Sequence, residues 1–136
     1  MYADAPQIAA DKSRIELDAL THTIIGCAQR VSSTLGMGFL EKVYENALCM
    51  ELRTANLNVD QQRPVDVRYH QEIVGEYVTD ILVESAVVVE VKAVDHLSAV
   101  HRAQCLHYLR ATGYRVCLLL NFGNARLETR RFVRRY

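Results

Sequence analysis

The chain has 136 residues and a mass of 15.5 kDa, half of them apolar and 24% charged. That is the balance of one globular domain and excludes a disordered or fibrous chain. No apolar run approaches the ~20 residues of a membrane span, and residues 1–12 lack a basic stretch leading into an apolar one, so a cytoplasmic domain without anchor or secretory signal is expected.

Residues 1–12 read as a flexible tail and 13–136 as a single domain. Ser13 with Glu16 three residues on is the pattern of a capping box, which starts a helix. Leu17, Leu20, Ile24, Ala28, Val31 and Leu35 follow as its apolar stripe. Gly26 inside the helix costs roughly 1 kcal/mol against alanine, and close packing is its expected reason. Gly36-Met-Gly38 ends the helix. A second helix is predicted over 39–55, with Leu40, Val43, Ala47 and Met50 on its apolar side.

After Asn56 the period becomes two. Strands are predicted from Pro64 through Tyr69, over 74–84 and over 86–94, with Ser85 in a tight turn. Tyr69 and Tyr77 are expected to pack. Ser98 and Gly113 bracket a third helix, the apolar run 116–120 is a buried strand, and a last strand lies near 126–133. The order ααβββαββ gives an α/β (α+β) fold, one mixed sheet flanked by helices. Cys27, Cys49, Cys105 and Cys117 lack metal-ligand spacing and read as reduced apolar fillers. No P-loop, GxGxxG or GxSxG is present, which removes support for nucleotide hydrolysis, dinucleotide redox chemistry and serine hydrolysis.

The third strand carries charges where a core is expected. In Val87-Val-Val-Glu90-Val-Lys92, Glu90 and Lys92 share one face, and the preceding strand places Asp80 between Thr79 and Ile81. A tight turn at Ser85 sets Asp80 beside Glu90. Adjacent carboxylates raise each other's pKa unless a cation lies between them, and such oxygen ligands suit Mg²⁺ or Mn²⁺. An ion pair of Lys92 with Asp80 or Glu90 would account for the same charges. The net charge of zero is also uneven, −3 over residues 1–62, −3 over 63–94 and +6 over 95–136. A basic end of this kind suits phosphates, or is simply solvated.

Asp80 followed by Glu90-Val-Lys92 resembles the signature of the PD-(D/E)XK nuclease superfamily. Gly38-Phe-Leu-Glu41-Lys-Val-Tyr44 is similar to the motif that names its GxxExxY family. The likeness runs from about Ile15 to Val133 and takes in Leu35-Gly-Met-Gly38 and Asn121-Phe-Gly123. Ser32 replaces a histidine often found in the family, and Thr79 stands where the superfamily name has proline.

The resemblance implies a restriction-endonuclease-like core and a Mg²⁺- or Mn²⁺-dependent nuclease acting on DNA. Asp80, Glu90, the Val91 carbonyl and Glu41 would be metal ligands, and Lys92 would act on the attacking water. Gln104-Cys-Leu-His-Tyr108 is similar to the QxxxY motif of nucleases attached to recombination helicases. Gln104, Tyr108 and His101 would position Lys92 or hold phosphates, with Arg126, Arg130 and Arg131 along the backbone. The alternative is a catalytically silent module of the same fold that binds nucleic acid or a protein in a repair or defence complex. A domain this small leaves room for a homodimer or a protein partner.

Overall fold

A computed structural model of the chain describes residues 11–134. The expected tail lies mostly outside them, as does Arg135. Helix α1 (Arg14–Leu35) begins as the sequence requires: the Glu16 amide donates to Ser13 Oγ and the Ser13 amide to Glu16 Oε1, each at 3.1 Å. Leu17, Leu20, Ile24, Ala28 and Val31 are buried along it. Gly26 is not a close-packing glycine, because an added Cβ would meet nothing within 4 Å.

Gly36 and Gly38 both take positive φ, 69° and 114°, a backbone that a side chain would strain. They turn the chain into α2 (Glu41–Thr54). That helix buries a different face from the one expected. Leu40, Val43 and Met50 are exposed, and Tyr44, Leu48, Cys49 and Leu52 pack instead, joined by Glu45. Both stripes have helical spacing, and the buried one offers the larger aromatic and leucine surface to the core. Tyr44 Oη donates to the Gly36 carbonyl at 2.6 Å and accepts the Phe39 amide at 3.2 Å, so α2 pins the glycine turn before it.

Five strands form one sheet in the order β1-β2-β3-β4-β5. They are β1 (Val59–Tyr69), β2 (Glu72–Val83), β3 (Val87–Lys92), β4 (Val116–Asn121) and β5 (Glu128–Val133), with α3 (Ala99–Thr112) crossing between β3 and β4. Only β3 and β4 are parallel, so this is the mixed sheet with flanking helices that the element order implied. Strand β1 starts five residues before the expected Pro64, because Asp60, Gln61 and Gln62 carry no apolar alternation for a sequence pattern to detect.

The pleat divides the core. Val87, Val89, Val91, Val116, Leu118 and Leu120 pack under α1 and α2, while Val88, Cys117 and Leu119 pack under α3. All four cysteines are free and buried, as expected of apolar fillers. Tyr69 and Tyr77 lie outside the core and are partly exposed, but each packs its ring on a neighbour, Tyr77 on Tyr108 with centroids 5.3 Å apart and Tyr69 on His70 at 4.3 Å. No helix among the described residues is long and apolar enough to cross a membrane.

Candidate metal centre and nucleic-acid site

Strands β2 and β3 are joined through Glu84 and Ser85, both at positive φ, and closed by the Ala86 amide on the Val83 carbonyl at 3.0 Å. From there the ladder pairs Val83 with Val87, Leu82 with Val88 and Ile81 with Val89, then stops. The next pair in that register would be Asp80 with Glu90. Instead the Val91 amide donates to the Asp80 carboxylate at 2.8 Å. The strands part where the two acids meet.

The parting opens a cleft of about 370 Å³ on the α3 face, lined by Asp80, Glu90, Lys92, Gln104, Tyr108 and His107, with Glu76, Tyr77 and Val78. Glu90 is 8% exposed. Burial, reinforced by the Asp80 carboxylate, raises its pKa to about 9. Its Oε1 is buried and has no hydrogen-bond partner, and neither does the Tyr108 hydroxyl. Burial and the same two acids push the Tyr108 pKa up. No ion pair joins Lys92 to Asp80 or Glu90 among the described residues, so the charges on β3 are not explained by one.

Two carboxylates with an unpartnered buried oxygen fit a hard divalent cation, whose charge would remove their repulsion. No group of three His, Cys, Asp or Glu side chains that could hold a metal occurs among the described residues. A site here would therefore be completed by main-chain carbonyls and water.

The end of β3 is held by Asn121. Its Oδ1 accepts the Val94 amide at 2.9 Å and the Gly123 amide at 3.0 Å, and its Nδ2 donates to the Val94 carbonyl at 2.8 Å and to Glu128 at 3.0 Å. The Phe122 amide donates to the Lys92 carbonyl at 2.8 Å. Gly123 lies so close that a Cβ would fall 2.1 Å from the Val94 oxygen. The Asn121-Phe-Gly123 segment thus fixes the backbone on which Lys92 sits.

Other expected site residues are elsewhere. Glu41 is exposed in the first turn of α2, which packs on the opposite face, and it does not line the cleft. His101 accepts the Ser98 amide at 3.1 Å and closes the start of α3. Arg131 pairs with Asp18 of α1 at 2.6 Å and Arg130 with Glu128 at 3.3 Å. Arg126 is exposed, and none of the three arginines lines the cleft. His107 was missed by sequence reasoning, although its spacing of three from Gln104 puts both on one helix face. Glu76, Tyr77 and Val78 had no such signal, since only the parting of the strands brings them to the cleft.

No curated protein and no solved structure matches this chain. A family model for the PD-(D/E)XK nuclease superfamily matches residues 18–132, from α1 to β5 with the whole cleft between them. With Asp80, Glu90 and Lys92 gathered at one opening of its central strands, the chain belongs to the PD-(D/E)XK nuclease superfamily.

Proposed function

We propose that this chain is a divalent-metal-dependent nuclease of the GxxExxY type, acting in the cytoplasm on phosphodiester bonds of DNA. The observation that carries this reading is the Glu90 carboxyl, buried beside Asp80 with one oxygen unpartnered. In this reading Asp80, Glu90 and the Val91 carbonyl hold Mg²⁺ or Mn²⁺. Mg²⁺ keeps several of its waters and needs few protein ligands. Glu41 is not among those ligands.

A divalent ion held by Asp80, Glu90 and the Val91 carbonyl would supply Lewis acidity toward a phosphoryl oxygen and toward a water. Lys92, on the Glu90 face of β3, orients the attacking water and accepts or relays its proton. Gln104 positions Lys92 from α3. Tyr108 keeps its phenol proton and donates it in a hydrogen bond to a phosphate oxygen. Arg126 and Arg130 attract the backbone in a salt-dependent way, and a homodimer or protein partner adds grip.

The test is cleavage of labelled single-stranded, duplex and branched DNA, and of RNA, with Mg²⁺ or Mn²⁺. Cleavage by wild type that is lost with EDTA and in Lys92→Ala supports the reading, and RNA cleavage without DNA cleavage refutes the substrate class. A second reading, a non-cutting module, is favoured by the absence of a third acidic, His or Cys ligand among the described residues. Nucleic-acid binding with no product under any metal would decide for it.

A further inference from the structure

The ladder between β1 and β2 runs on to Tyr69 and Glu72, well beyond the point where β3 leaves. Among the described residues no strand pairs with the other edge of β2 over 72–80. Over 72–78 the side chains are largely exposed on both faces, Ile73 55%, Val74 63%, Tyr77 41% and Val78 46%, with the Tyr77 ring resting on Tyr108 of α3. Natural sheets blunt their open edges with proline, charge and irregularity. The outer strand β1 carries Pro64 and a positive φ of 55° at Gln62, and β5 carries Arg130 and Arg131. The open stretch of β2 has no proline, lysine or arginine, and its only charges are the spaced acids Glu72, Glu76 and Asp80.

We infer that this edge is a dimer interface, on which β2 of a second copy of the chain adds as an antiparallel strand. Nucleic acid is a poor occupant, because residues 66–76 hold three acids (Asp66, Glu72, Glu76) against Arg68 alone. A strand that pairs with itself about a two-fold normal to the sheet pivots on one residue, and the charges and the paired end of β2 together narrow the choice. Pivoting on Glu76 sets it against itself and Glu72 against Asp80, and pivoting on Val74 sets Glu72 against Glu76. Pivoting on Gly75 or on Tyr77 opposes no two acids, but a Tyr77 pivot would need Ile81 and Leu82, which already pair with β3, so Gly75 is the pivot that uses only the open edge. Each Ile73 then faces the partner's Tyr77, each Glu76 the partner's Val74 and each Glu72 the partner's Val78. Gly75 adds no side chain at the axis, so the Ile73 and Tyr77 pairs close over it. The paired stretch includes Glu76, Tyr77 and Val78, which also line the cleft, so the seam forms one wall of each cleft and the two clefts open on the same side of one continuous sheet. This inference does not depend on nuclease activity.

The experiment is light scattering and sedimentation of the full chain over a range of concentrations, with three substitutions. Wild type is expected to be a dimer. Val74→Glu opposes the partner's Glu76 twice and Val74→Lys pairs with it, so the former should loosen the dimer about tenfold or more relative to the latter. Gly75→Cys meets no neighbour within 4 Å. Across an antiparallel pair it would lie about 4.5–5.5 Å Cα to Cα from its mate, within disulfide reach. It should therefore cross-link under mild oxidation while Val74→Cys does not. A monomer at every concentration, equal effects of the two Val74 charge variants, or cross-linking at Val74 instead of Gly75 would each overturn the inference. So would loss of nucleic-acid binding in Val74→Glu with no change of mass.

Discussion

The ring of Phe122 stacks on that of Tyr44, with centroids 4.9 Å apart and planes 11° from parallel. One ring belongs to the Gly38–Tyr44 motif and the other to the Asn121-Phe-Gly123 segment, so the two sequence signatures meet in the core directly behind Lys92. Tyr44→Phe keeps the stack and loses both hydroxyl bonds to the glycine turn, and it should cost about 1–2 kcal/mol in urea unfolding. Phe122→Ala opens a cavity and should cost about 3–5 kcal/mol. A Tyr44→Phe loss above that of Phe122→Ala would show the turn, not the stack, to be the anchor.

Gly123→Ala tests the hold on β3 itself. A methyl carbon 2.1 Å from the Val94 carbonyl cannot be accommodated without moving the backbone two residues beyond Lys92. The expected outcome is a fall in kcat about tenfold or more with KM little changed, since the substrate-binding surface stays in place while the positioning of Lys92 is lost. Hydrogen exchange at the Val94 amide should accelerate in parallel. Unchanged exchange with reduced kcat would contradict this account.

The Glu90 carboxyl makes the metal-free protein sensitive to pH in a definite direction. Its pKa is near 9 in the folded chain against an ordinary value of 4.5, so between those limits the folded state binds the extra proton. Stability is therefore fully present below about pH 4.5 and falls as pH rises toward 9, by at most about 1.4 kcal/mol per unit. Glu90→Gln should flatten that slope and raise the Tm of metal-free protein at pH 8. Divalent metal must displace the same proton, so its affinity should climb over the same interval and one proton should be released on binding, measurable by calorimetry in two buffers. A wild-type Tm that rises from pH 6 to 8 without metal would refute the assignment.

Glu41 and Glu45 lie one turn apart and should behave oppositely. Glu41 is exposed, so Glu41→Gln should leave stability within about 0.5 kcal/mol and metal affinity unchanged. Glu45 is 3% exposed and accepts from Lys42 at 3.0 Å, Gln61 at 2.7 Å and Gln62 at 2.9 Å. Glu45→Ala removes a buried acceptor shared by three side chains, although Gln61 keeps Asn46 at 2.7 Å and Gln62 is exposed, and should cost about 1–3 kcal/mol. A tenfold loss of metal affinity in Glu41→Gln would return that residue to the site.

The element order and the nearness of Asp80 to Glu90 were legible because alternation and a short turn are local signals. So was the misfit of Glu90 and Lys92 in a valine strand, which marked the place. The inward face of α2 was not, since two stripes of equal spacing compete there and only packing against α1 decides between Val43 and Tyr44. The start of β1 was hidden for a related reason: Asp60 and Gln61 pair with β2 through main chain while Gln61 and Gln62 reach Glu45 by side-chain hydrogen bonds, neither of which leaves an apolar pattern. Arg131 read as a phosphate contact because nothing in the sequence places Asp18 of α1 beside β5.

Strand β3, reached through the short connection at Glu84 and Ser85, also sets a rule for the length of the chain. Three turn residues lie between the paired Val83 and Val87, and the meeting of Asp80 with Glu90 depends on unbroken alternation along the strands on either side of them. A surface turn ordinarily tolerates an added residue. One residue inserted inside β3, between Val87 and Glu90, is different: it would slip the rest of the strand by a single step and send Glu90 and Lys92 to the α1 side, with valines turned toward the cleft. An insertion of one would thus erase the chemistry outright, whereas an insertion of two would restore the facing and displace the acids by only one repeat of the pleat.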